Sequence, residues 1–279
     1  IPTQPTVASA TTLNPSYSFE RTKKVNSLYA SAQLSYQDFL FLDVTGRNDW
    51  SSTLPAANRS YFYPSASVSV LLNEVFTLDN TKFNLLKTRI SWAQVGNDTD
   101  PFQLDNTFNL NQNGYLDRTT LSRPSTLYDE NISPEKVSTL EAGIEFQMLG
   151  NRLYGDLTYY DIKSQDLIWG IPVPASTGYS SFNTNVGEIR NSGIEFLIGG
   201  VPVQTNDFSW DVSFNMSHNN NELVEFIDDL ESFQFSSTNG GSVSVQATKG
   251  GGYGDIFGTT WAKNDAGQLI VSADGVPVA

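Results

Sequence analysis

From Val137 to Asp161 the chain reads VSTLEAGIEFQMLGNRLYGDLTYYD, and apolar and polar residues alternate through nearly all of it. Leu140, Ala142, Ile144, Phe146 and Met148 fall on one side, and Thr139, Glu141, Gly143, Glu145 and Gln147 on the other. A period of two marks a β-strand with one oily and one wet face. Leu149-Gly150-Asn151 supplies a turn, after which Leu153, Gly155, Leu157 and Tyr159 alternate with Tyr154, Asp156, Thr158 and Tyr160. The stretch predicts a long hairpin. Its oily face must touch something, and a soluble core and a lipid bilayer both accept it.

The same alternation recurs along the chain. It predicts further strands from Val25 to Tyr36, Leu40 to Arg47, Tyr63 to Leu72, Leu85 to Val95, around Ile194 to Ile198 and from Phe208 to Ser217, with the returning strand of the hairpin ending near Trp169. Helical periodicity is scarce, so the chain reads as all-β. Residues 1 to 24 carry no period and read as loop. The connections run short at Gln37-Asp38, long from Asn48 to Phe62, middling from Asn73 to Phe83 and long from Gly96 to Lys136. They are then short at 149 to 151, long through IPVPASTGYSSF to about Asn185, short from Gly199 to Asp207, and long after Asn219. Beyond Asn219 come an acidic segment, a Ser/Gly-rich stretch, the cluster Gly250-Gly251-Gly252 and a small hairpin around Ala262 and Ile270, turned at Asn264 to Gly267.

That rhythm favours one reading of the oily face. Up-and-down membrane barrels keep short turns on the inner side and long loops outside, with strands apolar outward and polar inward. Greek-key sandwiches mix connection lengths at both ends. Aromatic residues near strand ends, at Trp50, Tyr61, Phe62, Tyr63, Trp92, Trp169, Phe208 and Trp210, fit an interfacial girdle. The fold expected is therefore an antiparallel up-and-down transmembrane β-barrel segment, with strands over 25 to 218 and an extracellular loop region with a small hairpin over 219 to 279. The alternative is a soluble all-β carbohydrate-binding or adhesin module, in which the same aromatics fill a core.

Composition removes other classes. A net charge of -14 without a basic cluster repels phosphate backbones, which excludes nucleic acid as a partner. There is no cysteine, hence no disulfide framework or thiolate metal site. No apolar run reaches the roughly 20 residues of a membrane helix. Ile1 to Ala10 lacks the basic and apolar regions of a signal peptide.

Several blocks resemble a known family: PSASVSVLLNE, LLKTRISWAQVGN, SPEKVSTLEAGIEFQMLGNRLYGDLTYYDIKSQDLI, NVGEIRNSGIEFLI and DFSWDVSFNMSHNNNELVEF. In this order they are similar to the SusC/RagA family of TonB-dependent outer-membrane transporters of Bacteroidetes. The resemblance implies part of a plugged barrel of about 22 strands. It implies import of nutrient oligomers, glycans first and oligopeptides as the alternative. It further implies a SusD-like surface lipoprotein as partner and TonB acting through a plug domain. Neither a TonB box, a plug nor a closing C-terminal strand is recognisable, so the chain is expected to be an internal piece of a larger polypeptide.

No catalytic constellation, metal site or cofactor site is expected. His218 is a lone histidine read at the end of a strand, and one histidine cannot hold a metal. Asp228-Asp229, and Asp98 with Asp100, read as solvated loop acids because no calcium-loop spacing surrounds them. KGGGYGDIFG, residues 249 to 258, lacks the phosphate-loop pattern. Substrate contacts are expected on the long outer loops, where Trp50, Tyr115, Tyr128, Tyr179 and Tyr253 offer aromatic faces beside amides and acids.

Overall fold

The computed structural model of the chain describes residues 20–76, 78–79, 82–111, 118–227, 230–238 and 242–278. In chain order the strands are β1 (Val25–Tyr36), β2 (Leu40–Ser51), β3 (Ser60–Leu71), β4 (Phe83–Asn97), β5 (Asn109–Asn111), β6 (Thr120–Ser122), β7 (Thr126–Tyr128) and β8 (Glu135–Met148). They continue as β9 (Leu153–Gln165), β10 (Ile168–Pro172), β11 (Ser181–Asn185), β12 (Glu188–Gln204), β13 (Ser209–Glu225), β14 (Ser232–Thr238), β15 (Val243–Thr248) and β16 (Tyr253–Gly258). A short helix, α1 (Leu72–Val75), lies between β3 and β4.

The long strands build one antiparallel sheet of eight in the order β1-β2-β3-β4-β8-β9-β12-β13. Its register aligns the alternation of every strand. One row across the sheet runs Leu34, Leu42, Val68, Ile90, Ala142, Tyr159, Ile194 and His218. The adjacent row runs Gln33, Asp43, Ser67, Ser91, Glu141, Tyr160, Gly193 and Asn219. Because neighbouring rows point to opposite sides, the sheet has one apolar and one polar face. A one-residue slip at any pair would bring Leu or Ile onto the wet side, which fixes the register.

Among the described residues no second sheet covers the apolar face. Phe214 is 58% exposed, Phe146 and Phe196 are only half-buried, and the sandwich alternative, which requires all three between two layers, does not form. Each such side chain left in water forgoes about 1.5–3 kcal/mol of burial, so a face of this extent is built for a hydrocarbon surround. Strands of 12 to 17 residues exceed the roughly 9–11 that cross a bilayer with tilt, and the surplus stands beyond the membrane.

The connections separate by end. At one end lie residues 37–39, with Gln37 and Asp38 at φ 48° and 55°, the segment 72–82 with α1, the turn 149–152 and the turn 205–208. At the other lie 52–59, 98–134, 166–187 and the chain after Glu225. The expected long connection from Asn48 to Phe62 shrinks to 52–59, because Asn48, Asp49 and Trp50 pair with Phe62, Tyr61 and Ser60 and extend both strands. Likewise β13 continues to Glu225, beyond the expected end at Ser217, and His218 lies within it rather than at its end.

The outer connections are themselves structured. β10, β11 and β7 form a three-stranded sheet whose β11–β7 pair is parallel, and β14, β15 and β16 form another. The expected hairpin near Ala262 is present, with Ile270 N donating to Ala262 O at 2.9 Å and Asn264 Oδ1 accepting from the amides of Ala266 and Gln268. A core of Ile189, Leu223, Phe226 and Ala247, flanked by Leu167, Trp169, Leu230, Phe233 and Phe235, ties β14 and β15 to the wall. Ile189 and Leu223 share the side of Asn191 and Asn221, which is the polar one. The outer cap is thus anchored over the wet face of the wall.

Candidate functional site

The polar face is organised by long side chains lying across glycines. Arg89 on β4 passes over Gly143 on β8 and grips Asp156 on β9 with both nitrogens, Nη1 at 2.7 Å and Nη2 at 3.0 Å, while Nη2 also donates to Thr158 at 2.6 Å. A Cβ at Gly143 would sit 2.7 Å from the Arg89 Cζ, so only glycine leaves the passage open. Tyr160 lies over Gly193 in the same way, and its hydroxyl donates to Asn219 at 3.0 Å. Tyr154 crosses Gly199 to reach Asp211 at 2.9 Å. Each strap joins strands two apart, so the polar face gains cross-ties beyond the backbone ladder.

Three cations on the described strands of this face are each paired. Arg47 pairs with Asp49 at 2.8 Å, Lys87 with Glu145 at 3.9 Å, and Arg89 with Asp156. Asp43, Glu141, Glu195 and Asp211 form no ion pair among the described residues. Arg89, Glu141, Asp156, Thr158, Tyr160, Asn191, Glu195 and Asn219 line an open groove of about 530 Å³ on the wall.

The rim and cap are held by amides and one buried acid. Asn106 accepts from the Tyr128 amide at 2.8 Å and donates to its carbonyl at 3.0 Å. Asn58 donates to the carbonyls of Asn131 and Ile132, and Asn185 to those of Ser133 and Asp166. Asp98, expected as a solvated loop acid, is instead 5% exposed at its side chain and accepts from Lys23, Ser51 and Thr53, the last at 3.1 Å. It pins the segment before β1 and the end of β2 to the exit of β4. Asp228 and Asp229 lie outside the described residues.

Burial alone pushes the Asp98 carboxyl up, but the bonds from Lys23, Ser51 and Thr53 outweigh it and hold it below the usual carboxylate range. A depressed value means stability that is complete above the unfolded value and lost as pH falls through the folded one. Limited proteolysis of the rim should be unchanged between neutral pH and pH about 5 and rise only below the usual carboxylate range. Asp98→Asn should reproduce the acid pattern at neutral pH, at a local cost of about 1–2 kcal/mol.

The expected contact residues separate. Trp50 stands on β2 on the same side as Leu42 and Val44, 39% exposed, an anchoring position at the outer edge of the apolar face. Tyr115 lies outside the described residues. Tyr128 lies on β7 and Tyr179 in the connection from β10 to β11 of the same small sheet, where the Arg123 guanidinium lies 4.3 Å over the Tyr179 ring. Tyr253 opens β16, 44% exposed, backed by Trp169 at 5.2 Å and Phe235 at 4.7 Å. The cap therefore joins Tyr128, Tyr179 and Tyr253 through β10, which carries Trp169.

The expected girdle is corrected in three places. Tyr61 and Tyr63 face the polar side, where Tyr63 donates to Asp49, and Trp169 is packed in the cap. Phe62 and Trp92, with Trp210 at the opposite end, keep apolar-face positions. Missed entirely were Tyr160, Asn191, Asn219 and Asn221 as one strip. The signal was present in the parity of these positions, but the Asn219-Asn220-Asn221 run reads as a strand end.

A family described as TonB dependent receptor-like, beta-barrel matches residues 2–273. TonB-dependent receptor SusC of Bacteroides thetaiotaomicron is 32% identical over 222 residues, covering 74% of this chain and 22% of that protein. TonB-dependent receptor P26 of Formosa agariphila is 31% identical over 217 residues, covering 74% of this chain and 22% of the relative. The RagAB peptide importer in its closed-closed state superposes with a TM-score of 0.75 at 22% identity, covering 91% of this chain and 28% of that one. The chain thus spans 22% of the length of these two curated relatives.

Proposed function

The chain belongs to the TonB-dependent receptor-like β-barrel family of the outer membrane, and on that premise we propose that it forms wall and outer loops of an importer of nutrient oligomers. One observation carries the reading: the three longest connections, 98–134, 166–187 and the chain after Glu225, lie at one end of the sheet, and the cap they form is rooted on the polar face. A vestibule above a wet wall is the arrangement that receives a hydrophilic solute and hands it inward. Energy would come from TonB acting on the plug of the full-length protein, and a SusD-like lipoprotein would close over the cap. The wall's part is containment and capture.

Glycans are the first cargo and oligopeptides the alternative. Tyr128, Tyr179 and Tyr253, beside the amides of Asn106 and Asn221, support contacts to rings of either kind. RagAB is a peptide importer, which keeps the second class open. Trp50 would serve as an anchor at the outer membrane surface. The test is uptake by cells carrying the full-length protein, with labelled oligosaccharide and peptide pools, before and after removal of TonB. Uptake that falls to background without TonB supports the proposal; uptake indifferent to TonB and to deletion of the transporter overturns it.

A further inference from the structure

A continuous hydrogen-bonded strip descends from the cap to the wall groove. The amide of Tyr253 donates to Asn221 Oδ1 at 2.6 Å, Asn221 Nδ2 donates to Asn191 Oδ1 at 2.7 Å, and Asn219 Nδ2 approaches the same oxygen at 3.4 Å. Asn219 Oδ1 in turn accepts the Tyr160 hydroxyl at 3.0 Å. Beside Tyr160 the groove continues with Glu141, its register partner on β8, and one step further along the face with Glu195 opposite Thr158, both exposed. Two aromatic rings thus bracket a ladder of amides, and each amide offers two donor hydrogens and two acceptor lone pairs, more than the strip itself consumes.

We propose, resting on the importer reading, that cargo runs along this strip, which admits uncharged hydrogen-bonding oligomers and turns away polyanionic ones. Tyr160, Asn191 and Asn219 contact the cargo, while Glu141 and Glu195 set the charge preference. The bonds follow from what the strip exposes: amide donors and acceptors match hydroxyl groups, which both give and take, and an aromatic face accepts the C–H face of a ring. The rejection follows from what it withholds. Arg47, Lys87 and Arg89, on the strands of the polar face, are each bound to a carboxylate, so none of the three is free to receive an anionic group. A polyanion passing Tyr160 meets two exposed carboxylates that form no ion pair among the described residues, and like charge repels it. The preference should therefore weaken as salt shortens the screening length.

The experiment measures uptake by cells carrying the full-length transporter and its membrane partner. Three labelled pools are compared: neutral oligosaccharides, the same oligosaccharides with primary alcohols oxidised to carboxylates, and casein peptides. The neutral pool should enter at least about tenfold faster than its oxidised form, and Glu141→Gln with Glu195→Gln should bring that ratio to about two or less. Tyr160→Ala should cut neutral uptake about tenfold, and Tyr160→Phe, which keeps the ring and loses one bond, about threefold. Unchanged heat-modifiable gel mobility establishes that the variants are folded. Equal uptake of the two sugar pools, a ratio unmoved in the double variant, or neutral uptake indifferent to Tyr160→Ala overturns the proposal. Entry of peptides alone also overturns it while leaving the importer standing. If no pool enters in a TonB-dependent way, the importer reading itself fails.

Discussion

Valine at Gly193 is expected to break the wall where β9, β12 and β13 meet. A Cβ there would lie 2.3 Å from the His218 carbonyl oxygen and 2.5 Å from the Tyr160 hydroxyl. Tyr160 can swing aside at the loss of its bond to Asn219. The His218 carbonyl cannot, because it belongs to the ladder in which Ile194 faces His218. Overpacking costs about 1–3 kcal/mol and the lost bond about 1 more, so the variant should lose roughly 2–4 kcal/mol. Gly170→Ala is the control, since its Cβ would meet only Ser181 at 3.9 Å, and it should stay within about 0.5 kcal/mol of the parent. Urea midpoints of the full-length protein, read by heat-modifiable mobility, check both. A Gly193 variant as stable as Gly170→Ala would show that the close approach is not real.

The wall was legible in the sequence because its physics is local. The hairpin of β8 and β9, the edges of β1 and the turn at Gln37 and Asp38 follow from alternation and turn chemistry within a few residues. The connection lengths could then be read as two ends of one sheet. Strand ends were less legible: β2, β3, β12 and β13 all run past their apolar patterns, because ladder hydrogen bonds continue where the apolar–polar alternation has stopped. The cap was not legible. Its small sheets come from segments far apart in sequence, such as Phe182 beside Leu127, and its core gathers Trp169, Phe226, Phe233 and Phe235 from loops with no period.

The side-chain arrangement around the candidate site was hard to read for a related reason. Trp50 looked like a loop aromatic until pairing with Ser60 drew it into β2 and its parity turned it to the apolar side. In the sequence Gly143 is only one wet-side position of the alternation, and Gly199 reads as the start of a turn. The function of both, and of Gly193, appears only when the straps over them are seen, since Arg89, Tyr160 and Tyr154 come from the neighbouring strand. Asp98 reads as one acid among many, and only tertiary contacts with Lys23, Ser51 and Thr53 distinguish it.

An equally large effect is expected from charge placed on the apolar row. Ile90 sits between Val68 and Ala142, and the next residue, Ser91, sits between Ser67 and Glu141. The two are covalent neighbours pointing to opposite sides of the same strand, so a single substitution applied to each reports what either side touches. Arginine on a lipid-facing strand position near mid-bilayer costs about 2–4 kcal/mol, whereas a lumen position tolerates it. At Ser91 the guanidinium also gains a carboxylate opposite, Glu141, on a face short of free cations.

Folding of the full-length protein into lipid vesicles across a urea series, with Ile90→Arg and Ser91→Arg side by side, is the most direct measurement. Ile90→Arg should lose about 2–4 kcal/mol and insert poorly, while Ser91→Arg stays within about 0.5 kcal/mol of the parent. Equal losses at the two positions, or a larger loss at Ser91, would contradict a wall with lipid on its Ile90 side and water on its Ser91 side.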